Sequence, residues 1–189
     1  MVQSLAPQKP AAQDQLGQNE PSCNALDTLL VHQNVASDFL PRLVAYLQKD
    51  GVSFRADQSA LAAWTNHDRP SSISAAGPAD FDTEWLSLVL GLKVVAGLDE
   101  AIAHIEEHST AHSDGILTQK EGHARRFVAE VDSAAVYVNA STRFTDGSQL
   151  GLGAEVAIST QRLHARGPMA LRELTTYKWI IHGQYHIRP

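Results

Sequence analysis

Short apolar runs alternate along the chain with stretches whose apolar residues recur every three or four positions. The run DTLLVH, from Asp27, predicts a strand, and NVASDFLPRLVAYLQKDG has the apolar spacing of a helix that closes at Gly51. GVSFRAD and LGLKVVA predict two further strands, and SALAAW predicts a helical turn between them. Residues 66–80, NHDRPSSISAAGPAD, are predicted to be a loop by their composition.

The second half repeats this alternation. LDEAIAHIEEHS predicts an amphipathic helix with acidic residues in its first turn, DGILTQ a strand, EGHARRFVAEVD a helix and SAAVYVNA a strand. Strands that alternate with helices of about 10–15 residues form βαβ units with right-handed crossovers. The pattern therefore predicts an α/β fold with a mostly parallel sheet and flanking helices.

The two ends of the chain depart from this pattern. Residues 1–20 are rich in Gln, Ala and Pro, so we expect a mobile leader, with the fold beginning near Pro21. The tail LTTYKWIIHGQYHI, within residues 174–189, is rich in β-branched and aromatic residues and predicts one or two extended strands. A terminal strand outside the main sheet is suited to pairing with a second chain, so we expect a homo-oligomer.

Composition narrows the class of partner. The 189 residues carry a net charge of −6, which disfavours nucleic acid and anionic membranes, and no apolar run approaches the roughly 18 residues of a membrane helix. A single cysteine cannot form an internal disulfide, and the N-terminus has no signal-peptide pattern, so we expect a cytoplasmic protein.

That cysteine, Cys23, is the first candidate for chemistry. A lone cysteine is more often a small buried apolar residue than a nucleophile. Cys23, however, falls between a Pro-containing loop and the first predicted strand, where side chains are presented at a sheet edge. The residues alone leave both roles open.

A second candidate is the polar loop after the last predicted strand of the alternating region, within residues 138–155. Ligands of open α/β sheets bind at the carboxyl ends of strands, and Arg143 offers a planar cation for a carboxylate or phosphate. The alternative is a surface loop that satisfies its own backbone. The stretch GLGAEVA lacks the context of a dinucleotide fingerprint. The polar candidates in the loop are Asn139, Ser141, Thr142, Arg143 and Asp146.

Three histidines, His104, His108 and His112, recur every four residues and admit either a metal site or a solvated helix face. The helix is predicted to end near Ser109, so His112 should not continue the row, and we expect no metal.

The segments CNALDTLLVH, LDEAIAHIEEHSTAHSDGILT, DSAAVYVNASTRFTDGSQLGLGAEVAIST and LHARGPMALRELTTYKWI together resemble the gamma-glutamyl phosphate reductase family, also called glutamate-5-semialdehyde dehydrogenases. The resemblance runs from about Pro21 to Pro189. It implies an aldehyde dehydrogenase fold, with a catalytic domain over 21–173 and an oligomerisation strand within 174–189.

The resemblance also implies an activity. Family members reduce L-glutamyl 5-phosphate with NADPH to L-glutamate 5-semialdehyde in proline biosynthesis, which makes Cys23 the nucleophile. Glu84, in EWLSL, occupies the place of the glutamate that holds the nicotinamide ribose. Glutamate 5-kinase is the candidate protein partner, beside the small acyl phosphate substrate and a second copy of the chain. The substrate-pocket residues carried over are Asn139, Ser141, Thr142, Arg143 and Phe144, with Arg143 as the anion contact.

One departure qualifies these expectations. Members of the family are about twice as long, and only 22 residues precede Cys23 where the family has most of its nucleotide-binding domain. We therefore expect the NADPH-binding domain to be largely absent and residues 1–20 to be unrelated to the family. The alternative function is that of a truncated, non-catalytic chain that acts only in oligomerisation or interaction.

Overall fold

A computed structural model describes residues 23–65 and 67–189. Its main sheet contains the strands β1 (Thr28–His32), β2 (Ser53–Ala56), β3 (Ile73–Ala75) and β4 (Val89–Val95). These four strands are parallel and lie in the order β1-β4-β2-β3. The edge strand β1 pairs with β4, which places Thr28 opposite Gly91 and His32 opposite Val95.

Four α-helices occur in the described part of the chain. Helix α1 (Gln33–Leu47) is followed by a 3₁₀ turn over Gln48–Asp50, and this turn is capped by Gly51, whose φ of 82° suits a residue without a Cβ. Helix α2 is a single turn, and the Asp57 carboxylate caps it by accepting from the Ala60 N–H at 2.6 Å. The helices are α1 (Gln33–Leu47), α2 (Gln58–Leu61), α3 (Leu98–His108) and α4 (Glu121–Glu130).

Both faces of the main sheet are covered. Because successive side chains of a strand point to opposite faces, Val31 packs with α1 while its neighbour Leu30 packs with Ala101 of α3. The larger cluster lies on the α1 side and supplies most of the buried apolar volume. Its largest fully buried side chains are Val31, Leu40, Val44, Leu47, Val52, Phe54, Leu90 and Leu92.

Two smaller sheets follow. Strands β5 (Ser113–Ile116) and β6 (Ala135–Val138) pair in parallel, with α4 as their crossover. Phe127 of α4 and Ile116 of β5 are both buried in the small core beneath this pair. Strands β7 (Ala157–Ser159) and β8 (Gly167–Met169) form an antiparallel pair.

The α/β fold with a mostly parallel sheet and flanking helices is confirmed. The loop prediction for residues 66–80 is wrong at Ile73–Ala75, because these residues pair in parallel with β2 and bury Ile73. The β7/β8 pair was not predicted.

The two ends of the chain have different outcomes. The predicted leader, residues 1–20, lies outside the described residues. Residues 174–189 contain no strand, and their side chains are exposed to the solvent. A strand that forms against a second chain stays a prediction.

Candidate functional site

Cys23 is exposed and lies five residues before β1. It borders a cavity of about 170 Å³ that is walled by the start of β1, the loop between β3 and β4, helix α3 and the start of β5. Of the predicted site residues, Glu84 and Thr142 also border this cavity. The structure therefore brings together three predicted residues that are far apart in sequence.

The surroundings of Cys23 oppose ionisation of its thiol. Partial burial raises the pKa of Cys23, and the carboxylates of Glu155 and Glu84 raise it further. The backbone N–H of Cys23 and the guanidinium of Arg143 lower this pKa. Burial is the largest of these effects, so within this chain the thiol form is favoured at neutral pH.

Asn24, next to Cys23, is only 6% exposed although it lies in a loop. Its amide Nδ2 donates to the Thr145 carbonyl at 3.0 Å, and its Oδ1 accepts from the Arg143 guanidinium at 2.9 Å. The Thr142 hydroxyl donates to the Asn24 carbonyl at 2.6 Å. Sequence reasoning missed Asn24, because its partners lie about 120 positions away and no local pattern indicates them.

Residues 139–144 do not share one role. The Asn139 Oδ1 accepts from the Thr118 N–H at 2.8 Å, and its Nδ2 donates to the Thr118 carbonyl at 2.9 Å. Both polar ends of Asn139 are thus used to join the chain segments that follow β5 and β6. The position is in the left-handed region, with a φ of 53°, which asparagine tolerates.

The other predicted residues build a short 3₁₀ turn over Thr142–Phe144. The Ser141 hydroxyl caps this turn by accepting from the Arg143 N–H at 3.2 Å. Phe144 is 57% exposed, whereas Thr142 and Thr145 are buried. The residues predicted for the substrate pocket that do not border the cavity are Asn139, Ser141, Arg143 and Phe144.

Glu84 lies on the loop between β3 and β4, and its carboxylate is exposed. The next residue, Trp85, donates its N–H to the Asp27 carboxylate at 3.4 Å, which ties this loop to the segment that precedes β1. Burial raises the pKa of Asp27, the Trp85 N–H lowers it and the Glu84 charge raises it.

The histidine row is partly buried. Helix α3 ends at His108, as predicted, but the solvated helix face is wrong for His104, which is 7% exposed and lies 4.4 Å from the His108 ring between centroids. His108 pairs with Asp82 at 2.7 Å. His112 lies outside the helix, is buried and contacts the Ser113 hydroxyl at 2.8 Å. No group of three or more metal-ligating side chains occurs among the described residues.

The arrangement of a parallel sheet flanked by helices is the fold of aldehyde dehydrogenases. It superposes on an acetylating aldehyde dehydrogenase from Geobacillus thermoglucosidasius with a TM-score of 0.62 over 95% of this chain and 48% of that one, at 18% identity, which shows the fold alone. The chain also matches a crystal structure of gamma-glutamyl phosphate reductase from Thermotoga maritima with a TM-score of 0.86 at 49% identity. That match covers 95% of this chain and 42% of the Thermotoga chain.

Sequence comparison defines the relationship further. The chain is 60% identical over 171 residues to gamma-glutamyl phosphate reductase of Cronobacter sakazakii, covering 90% of this chain. It is 57% identical over 171 residues to the Escherichia coli O157:H7 protein of the same name. No family model matches the sequence. The homologues of this chain are therefore gamma-glutamyl phosphate reductases, and the chain spans about 40% of their length.

No helix in the described part of the chain is both long and apolar enough to cross a membrane.

Proposed function

We propose that this chain carries the catalytic cysteine of a gamma-glutamyl phosphate reductase. The reaction is the NADPH-dependent reduction of L-glutamyl 5-phosphate to L-glutamate 5-semialdehyde and phosphate, a step of proline biosynthesis in the cytoplasm. The observation that carries the proposal is that the single cysteine is exposed at a cavity in a chain 60% identical to a protein of that name.

In this mechanism the Cys23 thiolate adds to the acyl carbon of the substrate. The carbon–oxygen bond to phosphate breaks, phosphate leaves with the bonding electrons, and a thioester remains on Sγ. The Cys23 backbone N–H is one candidate donor for the oxygen that becomes negative during this addition. The hemithioacetal formed by reduction of the thioester then loses its hydroxyl proton, and cleavage of the C–S bond releases the aldehyde and restores the thiolate.

The ionisation of Cys23 governs the first step. Because burial raises the pKa of this thiol, the fraction present as thiolate is small at neutral pH and grows as the pH rises. The Arg143 charge acts in the opposite direction and increases the thiolate fraction. Acylation should therefore accelerate with pH until the thiol is fully ionised.

The residues of the cavity fit one part of the cofactor. Glu84 presents an exposed carboxylate at the cavity that holds Cys23, and a carboxylate there suits the hydroxyls of the nicotinamide ribose. At about 170 Å³, the cavity is smaller than the roughly 300–1,000 Å³ of a typical cofactor or drug site, so these residues fit the reactive end rather than the whole molecule. When bound, NADPH supplies the hydride that reduces the thioester.

The substrate side of the site is assigned to the segment from Asn139 to Phe144. Thr142 borders the cavity. Arg143 uses Nη1 for Asn24, and its other guanidinium nitrogens would donate to a carboxylate or phosphate of the substrate. A second copy of the chain and glutamate 5-kinase are the proposed protein partners.

A chimera tests the function. The 171 matching residues of the Cronobacter sakazakii reductase are replaced with those of this chain, so that the relative supplies the rest of the length. The assay follows phosphate-dependent formation of NADPH from NADP⁺ and L-glutamate 5-semialdehyde, the reverse of the proposed reaction. We expect activity in the chimera and its loss, by about 10³-fold or more, on Cys23→Ser. An active Cys23→Ser chimera would sink the assignment.

The second candidate function is that of a non-catalytic interaction chain, and the exposed apolar tail favours it. The side chains of Tyr177, Trp179 and Ile181 are each more than four-fifths exposed. Fluorescence titration of this chain with NADPH separates the two functions. Tight binding by the chain alone supports a catalytic unit with its cofactor site, whereas an absence of binding together with an inactive chimera supports the interaction role.

A further inference from the structure

Asn24 joins the cysteine loop to a distant part of the chain. Residues 23–27 lie outside helices and strands, yet Asn24 is buried between the exposed Cys23 and the exposed Ala25. Three hydrogen bonds of Asn24, at 2.6, 2.9 and 3.0 Å, reach residues 142–145. Because both the Nδ2 and the Oδ1 of the buried Asn24 are hydrogen-bonded to residues 142–145, this side chain fixes the cysteine loop relative to that segment.

The segment that holds Asn24 is itself ordered. Thr142–Phe144 forms a 3₁₀ turn in which Phe144 donates its N–H to the Ser141 carbonyl at 3.2 Å and Thr145 donates to the Thr142 carbonyl at 3.3 Å. Ser141, Thr142 and Thr145 are each about 5% exposed. Asn24 is therefore attached to a buried turn with hydrogen bonds of its own.

Arg143 reaches the cysteine loop by way of Asn24. Its Nη1 donates to the Asn24 Oδ1 at 2.9 Å, which holds the guanidinium against the residue that follows Cys23. The positive charge of Arg143 lowers the pKa of the Cys23 thiol, and that effect depends on where the guanidinium is held. Without the Asn24 acceptor, a half-buried arginine has other rotamers and solvent available.

We propose that Asn24 is the positioning residue of the Cys23 nucleophile, and that Arg143 acts on the thiol through Asn24. The inference rests on the proposed role of Cys23. Arg143, predicted from sequence as an anion contact, then has a second role, which is to act on the Cys23 thiol in the absence of substrate.

The test uses the fact that Cys23 is the only cysteine, so alkylation by iodoacetamide reports on one thiol. The second-order rate is measured against pH on the whole chain for the wild type, Arg143→Met, Asn24→Ala and the double variant. Arg143→Met should slow alkylation at about pH 8 by roughly two- to threefold, since the thiolate fraction falls as the pKa of Cys23 rises and Arg143 is the smallest of the influences on that pKa. In the Asn24→Ala background the same substitution should leave the rate within about 1.3-fold.

Matched controls and a conservative variant keep the result interpretable. Asn34→Ala, at an exposed asparagine in the first turn of α1, should leave the effect of Arg143→Met unchanged, as should Arg42→Lys on the exposed face of α1. Asn24→Asp retains an acceptor for Arg143, so the effect of Arg143→Met must persist in it. Circular dichroism identifies any variant that fails to fold, and if Asn24→Ala does not fold, Asn24→Leu, which also lacks the acceptor, replaces it.

The outcomes decide the proposal. An equal effect of Arg143→Met with and without Asn24 overturns it, and so does an absence of effect in both backgrounds or its loss in Asn24→Asp. In the reductase chimera, Asn24→Ala should lower kcat at least tenfold with little change in KM, whereas a raised KM for phosphate at unchanged kcat also overturns it. Because alkylation needs neither substrate nor cofactor, a failure of the proposed reductase activity is seen separately, as an inactive chimera with the alkylation results intact.

Discussion

Protonation of His104 should set the acid stability of this fold. The His104 ring is buried against Phe81, with centroids 5.3 Å apart at 84°, and lies 4.4 Å from the ring of His108. Burial, the neighbouring His108 and Lys93 lower the pKa of His104 from 6.5 to about 4, while Asp82 and Glu100 act in the opposite direction. The folded protein therefore resists a proton that the unfolded chain accepts readily.

The direction of the effect follows from linkage. Since the pKa of His104 is lower in the folded state than in the unfolded state, the unfolded chain binds more protons below about pH 6.5, and stability falls as the pH falls towards 4. For these two pKa values the loss at about pH 5 is about 2 kcal/mol. The ring borders an open cavity, so solvent screening brings the expected range to about 1–2 kcal/mol.

Urea unfolding of the wild type and His104→Gln at about pH 7.5 and about pH 5 measures this quantity. Glutamine is of similar size and does not titrate in this range, so the variant should lose about 1–2 kcal/mol less than the wild type between the two conditions. His67→Gln, at an exposed histidine, is the control and should lose as much as the wild type. An equal loss in the wild type and His104→Gln would refute the reasoning.

Two further predictions concern the sheet and the tail. Gly91→Ala should destabilise the fold by about 1–3 kcal/mol in urea unfolding, because a Cβ there would lie 2.9 Å from the Thr28 hydroxyl and 3.2 Å from the Asp27 carbonyl. Gly97→Ala, where a Cβ meets nothing within 4 Å, should change stability by less than about 0.5 kcal/mol, and equal effects would contradict the steric argument. The chain should sediment above the monomer mass at micromolar concentration, and deletion of residues 174–189 should shift it towards one chain, because the tail exposes a row of apolar side chains. Deletion of residues 1–20 is the control, and a monodisperse monomer from the intact chain would rule this out.

Hydrophobic periodicity predicted the elements that have enough residues to show a period. Helices α1 and α3 present apolar residues at helical spacing, and β4 is a seven-residue run that is mostly apolar, so the sequence locates them. Strand β3 has three residues, of which only Ile73 is buried, and β7 and β8 are equally short. A three-residue strand forms because it pairs with a neighbouring strand, and that strand is distant in the sequence.

The candidate site divides in the same way. The family resemblance assigned Cys23, Glu84 and Thr142 to one site, and these three residues border one cavity. The sequence does not indicate which hydrogen-bond partner each polar side chain has in the folded protein. Asn139 and Arg143 were both predicted as substrate contacts. In the structure the Asn139 amide is hydrogen-bonded to Thr118, and Nη1 of Arg143 donates to Asn24.

The free-energy cost of burying polar groups explains why sequence reasoning predicts more substrate-binding residues than the site can use. A polar side chain that is removed from water needs a partner, and in a loop without a regular ladder the nearest partner is often the backbone of a neighbouring segment. Residues 139–145 are crowded with such groups, so most of them hold the loop together and few remain for a substrate. The exception is expected where a polar group borders a cavity and keeps contact with solvent. Among the described candidates Cys23 and Glu84 are both exposed and border the cavity, and a ligand contact of the Glu84 carboxylate stays a prediction.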